Sequence, residues 1–192
     1  MHKGIAMLAL AAVSGFAQGT WNDLKFGTSV AEVRESLSKQ GLTLKSTQRA
    51  RLSEWQVTPG WDLEVPGIKV AFHFDPYLTF SESDKLERIS LGLKADQHNA
   101  EGIDTYVLTD LAATKIHEQL VGRYGAPVSQ TGICDRVSLS ELVGGPGKLS
   151  CAVVWKAQAQ TVKLDWTYFE RSIKNAKLFF IITYTSSSGG GL

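Results

Sequence analysis

The chain has 192 residues, 43% of them hydrophobic and 20% charged, with 20 Lys plus Arg against 19 Asp plus Glu. Such a composition supports a buried core and argues against intrinsic disorder, which goes with fewer aliphatics and one-sided charge. The balance also lacks the strongly basic character of a nucleic-acid binder.

The N-terminus reads as a signal peptide over residues 1–17. Lys3 precedes an apolar run from Ile5 to Val13, and Gly15 and Ala17 supply the small residues that suit cleavage after Ala17. The run falls well short of the roughly 20 residues a helix needs to cross a bilayer. Removing it takes away one lysine and no acid, so the mature chain is electrically balanced. No cysteine directly follows the apolar run, so no lipid anchor and no membrane span are expected. These features point to a periplasmic or secreted protein.

Within the mature chain, Ser29 followed by Glu32 is a capping-box pattern, Val30, Val33 and Leu37 share a helical face, and Gly41 suits the position after a helix. The spacing predicts a helix over about 30–40. Strands are expected around 42–46, 55–57 and 61–65. Firmer strands follow where Ile68, Val70, Phe72 and Phe74, then Ile89, Leu91 and Leu93, alternate with polar or small residues. Pro59-Gly60, Pro66-Gly67 and Asp75-Pro76 are read as punctuation around them. Leu108, Leu111, Ala112, Ile116 and Leu120 predict a second helix over about 106–123, stopped by Gly125 and Pro127.

Four further strands are expected over 128–134, 149–157, 161–169 and 178–185. The last is apolar on both faces and should be central in the sheet or covered on both sides. Residues 186–192, rich in Ser and Gly, read as a disordered tail. The expected fold is therefore α+β: one domain over 18–185, with a mostly antiparallel sheet of about six to eight strands and two helices on one face. Its halves, about 20–98 and 104–185, repeat the order helix then strands.

Cys134 and Cys151 are the only cysteines, and in an exported chain they read as one disulfide. Neither has the neighbours of a zinc site.

The string Leu24-Lys25-Phe26-Gly27-Thr28-Ser29-Val30-Ala31-Glu32-Val33 resembles the helix start of small bacterial envelope proteins, with Thr28 where those families usually carry Met. These are the outer-membrane-assembly lipoproteins of the SmpA/OmlA type and the β-lactamase inhibitory proteins, built from tandem helix-plus-sheet halves. The resemblance implies a non-catalytic, protein-binding module of the envelope.

Catalytic patterns are weak. Phe72-His73-Phe74-Asp75 puts His73 and Asp75 on one strand face, with Asp96-Gln97-His98 near the end of another strand, but a metal site needs three or more convergent ligands. His117 with Glu118 reads as helix surface, and Glu82 with Asp84 as a solvated turn. Gly144-Gly145-Pro146-Gly147-Lys148 misses the phosphate-loop pattern because Leu149 follows the lysine. No catalytic residue, metal or cofactor is expected.

Aromatics beside turns are better candidates for recognition, because they bury a large area with few rotors to freeze. These are Trp55, Trp61, Tyr77 and Phe80, although core packing is the leading role for each of them. Phe179 and Ile181, with Ala152 and Val154, form an apolar set on the face opposite the presumed core, a partner surface if no helix covers it. The expected function is a binding module for a protein or envelope component. The alternative is a small hydrolase or ligand-binding protein with a pocket around His73 and Asp75.

Overall fold

The structure is a computed structural model that describes residues 21–47, 53–64, 71–93, 99–100, 102–134, 148–157, 159–170 and 176–187. The signal-peptide segment 1–17, the tail beyond 187, the sequence Asp96-Gln97-His98, the first half of the strand around Ile68 and Val70, and the glycine-rich segment 144–147 lie outside these residues.

A 3-10 turn at Trp21–Asp23 leads to helix α1, Val30–Lys39. The capping box is formed in full. The Ser29 N–H and hydroxyl both donate to Glu32 Oε2, at 2.9 and 2.6 Å, and the Glu32 N–H returns a bond to Ser29 Oγ at 3.4 Å. Val33 and Leu37 are buried, and Gly41 takes the left-handed φ of +74° that ends the helix at low steric cost.

Five strands follow: β1, Thr43–Ser46; β2, Ser53–Thr58; β3, Trp61–Glu64; β4, Ala71–Phe80; and β5, Leu86–Leu93. After the two-residue β6, Asn99–Ala100, comes helix α2, Gly102–Tyr124. Four more strands complete the described chain: β7, Ser129–Gly132; β8, Lys148–Ala157; β9, Gln160–Glu170; and β10, Ala176–Ser186.

The strands make one ten-stranded sheet, ordered β1-β2-β4-β5-β10-β9-β8-β7, with β3 paired to β4 and β6 to β10. Every pairing is antiparallel. The eight strands of the main path match the upper end of the expectation, and the short β3 and β6 enlarge the sheet beyond it. Each half of the chain supplies a helix and then a meander, and the halves meet where β5 pairs with β10. The doubly apolar last strand is therefore central, as its sequence predicts.

Registers explain the core. Phe74 faces Leu93, Leu78 faces Ile89, Ile182 lies between Leu91 and Leu164, and Tyr184 between Ile89 and Val162. Farther along, Leu164 meets Val153 and Val162 meets Trp155. All of these side chains are buried and form one cluster with Val33 and Leu37 of α1 and Ala113, Ile116 and Leu120 of α2. Trp155 also donates its indole N–H to the Gly125 carbonyl at 3.1 Å, tying β8 to the end of α2. The segment before α1 is stitched to β5, with Gly27 N–H donating to the Leu86 carbonyl and Leu86 N–H to that of Thr28, both at 2.9 Å.

Two expectations are corrected. Asp75-Pro76 does not end a strand: β4 runs through it to Phe80. The ladder to β3 ends at Phe74 and that to β2 begins at Tyr77, so Pro76 sits where the neighbour on that side changes. A residue without an N–H is tolerated where a ladder is interrupted. Helix α2 also begins four residues earlier than its apolar spacing indicates, at Gly102 rather than Tyr106.

Candidate binding surface

Period-two alternation sends the remaining strand side chains to the face opposite the core. One row across it reads Gln56, Tyr77, Ser90, Thr183, Lys163, Val154 and Ser129; the next reads Asp75, Gly92, Ile181, Asp165, Ala152 and Thr131. Phe179 and Thr167 continue toward the far end. Most of these residues are small or polar. Phe179 and Ile181 stand out from them, 44% and 42% exposed on the central strand.

Gly92, beside Ile181, shapes this surface. A Cβ at this position would meet only the Asp75 carbonyl, at 4.0 Å, so the face is hollow there without being closed. Lys163 lies 2.9 Å from Asp165, and Asp75 accepts a hydrogen bond from Gln56 Nε2 at 3.2 Å. The result is a broad, nearly neutral surface with two protruding apolar side chains. The described residues of this face do not form the Lys and Arg cluster that a polyanion requires.

The six aromatic and aliphatic candidates divide between the two faces. Tyr77, Phe179 and Ile181 share the open one, with Tyr77 two strands and two residues from Ile181, roughly 12 Å by sheet spacing. Trp55 is half-buried at the α1 side, opposite Leu78, with the Arg34 guanidinium 5.4 Å from its ring centre. Trp61 is half-buried against Phe74, ring centres 5.2 Å apart. Phe80 is 3% exposed, and here the recognition reading is corrected: two residues after buried Leu78 on β4, it falls on the core side of the strand alternation and pairs with Leu86.

The His73 group lies on the same face, two residues before Asp75 on β4 and at the β3 edge. His73 faces Asp62 across the β3–β4 pair, with Nδ1 2.5 Å from Asp62 Oδ1. A side chain at Gly60 would collide with His73 Nε2 and the Phe74 carbonyl, so the glycine lets the β2–β3 turn close over the ring. The imidazole is thus engaged at one nitrogen and packed at the other. Among the described residues no three His, Cys, Asp or Glu side chains cluster as metal ligands. His117 packs beside Trp155, ring centres 5.6 Å apart. Glu82 and Asp84 occupy the exposed β4–β5 turn.

Cys134 and Cys151 form a disulfide with Cα atoms 4.9 Å apart, joining the end of β7 to β8. No described helix is long and apolar enough to cross a membrane.

Gly92, Thr183, Lys163 and Asp165 are parts of the surface that sequence patterns do not single out. Their signal is the polar half of the strand alternation, which reports exposure but not which strands become neighbours. No protein family, curated protein or solved structure matches the chain.

Proposed function

We propose that this protein is a non-catalytic binding module of an oxidising compartment outside the cytoplasm, periplasmic or secreted, holding a protein or envelope component against the open face of its sheet. In this reading both helices cover the same face, and the other is left to the partner. One observation carries it: the central strand of a wide sheet presents Phe179 and Ile181, 44% and 42% exposed, opposite a fully formed core. Exposed apolar groups set in a small, polar surround are what a protein interface buries at its centre. The leader-like sequence and the disulfide support the compartment. The envelope-protein resemblance of the Leu24–Val33 string agrees with the function.

The test is affinity capture from an envelope extract, comparing the oxidised protein with a Phe179→Thr/Ile181→Thr variant. Threonine keeps strand propensity while removing the apolar bulk. A discrete partner held by the parent and lost at least tenfold from the variant, at similar thermal stability, supports the reading. Equal retention by both forms overturns it.

A further inference from the structure

Under the last turn of α2 lies a partly buried polar cluster, built around the fully buried Tyr184, that the open face does not use. Tyr184 of β10 is 0% exposed, and its hydroxyl has no hydrogen-bond partner among the described residues. Tyr184 stands opposite Val162 and Gln160 opposite Ser186, which makes Gln160 a diagonal neighbour of Tyr184 on the core side. Gln160 Nε2 donates to the Tyr124 hydroxyl at 3.5 Å, and the Arg123 guanidinium lies 5.0 Å from the Tyr124 ring centre. Gln119, whose Oε1 is also buried without a partner among the described residues, is one helical turn before Arg123.

A tyrosine phenol is an O–H donor at physiological pH, and burial, with Tyr124 nearby, pushes the Tyr184 titration further up. A buried donor left without an acceptor forfeits the hydrogen bond it makes to water in the unfolded chain. Protein interiors avoid that loss with ordered water, about one buried molecule per 27 residues, where two or more polar groups converge.

We infer that Tyr184 and the α2 end build an internal water site: one ordered water accepts from the Tyr184 hydroxyl and bridges it to the Tyr124–Gln160 pair. The bridge links β10 and β9 to the last turn of α2 through polar contacts within an apolar core.

The experiment is a crystal structure of the wild-type protein fine enough to place waters, with water-to-Tyr184 ring-proton NOEs recorded on the same protein in solution. The expected result is a water about 2.7–3.0 Å from Tyr184 Oη with a long-lived NOE, lost in Tyr184→Phe together with about 2–4 °C of Tm. A dry site without an NOE overturns the inference, whether or not Tyr184→Phe folds. So does a direct protein acceptor on Tyr184 Oη, or a Tyr184→Phe protein of raised Tm.

Discussion

Ile181 and Gly92 stand directly opposite one another across the β5–β10 pair, on the sheet face away from the core. An exposed apolar side chain beside a residue with none creates a step in that face. Gly92 has no positive φ, and a methyl group there would touch only the Asp75 carbonyl at 4.0 Å, so its lack of a side chain is not demanded by the backbone. Gly92→Ala is expected to leave the melting temperature unchanged or raise it, since alanine lowers the entropy of the unfolded chain. Gly92→Phe should fold yet weaken partner capture tenfold or more by filling the step. Thermal melts with capture on the same samples check both.

The disulfide closes the segment between β7 and β8, with 17 positions separating the two cysteines. In the chain-entropy treatment a loop of that size contributes about 3 kcal/mol. A Cys134→Ser/Cys151→Ser variant should lose roughly that much in urea unfolding, and the parent should lose a similar amount when a reductant is added. The double variant should be insensitive to reductant.

The capping box gives a prediction with a pH signature. Bonds from the Ser29 side chain and backbone hold the Glu32 carboxyl below its ordinary value. A carboxyl whose folded pKa is depressed stabilises the fold above its unfolded pKa, and that contribution fades as pH falls through the folded value. Ser29→Ala should lower Tm by about 2–4 °C at neutral pH, with the difference from the parent shrinking in acid. It should also return the Glu32 pKa toward the ordinary carboxylate value in an NMR titration.

Gly132 is the glycine that the fold requires at the end of β7. Its φ is +86°, and a Cβ there would collide with the Ser150 carbonyl on β8. Gly132→Ala should destabilise the protein by about 1–3 kcal/mol in chemical denaturation, in contrast to Gly92→Ala.

Much of this architecture was legible because its signals are local. Ser29, Glu32 and Gly41 mark α1 by backbone chemistry that operates within one turn, and the alternation through Val162, Leu164 and Trp166 gives β9 its buried side. The break expected at Asp75-Pro76 depends instead on a distant fact, that β2 and β3 share the edge of β4 end to end. Phe80 is a different case: it continues the alternation of Phe72, Phe74 and Leu78 on β4, all buried, so its place beside a turn weighs less than its period-two position. The candidate surface was partly visible, since Phe179 and Ile181 break the polar alternation of an otherwise ordinary strand. Its extent was not, because Tyr77, Gly92 and Asp165 become neighbours only through the β4-β5-β10-β9 order.

The proposed function requires a partner to dock on the open face. Photo-crosslinking tests this most directly: a photoreactive residue placed at Thr183, on the open face beside Ile181, is compared with one at Lys39 on the exposed side of α1. The prediction is a discrete crosslinked species from Thr183 and none from Lys39, with the Thr183 product abolished by Phe179→Thr/Ile181→Thr. Crosslinks arising from Lys39 alone, or a Thr183 product that survives those substitutions, would contradict it.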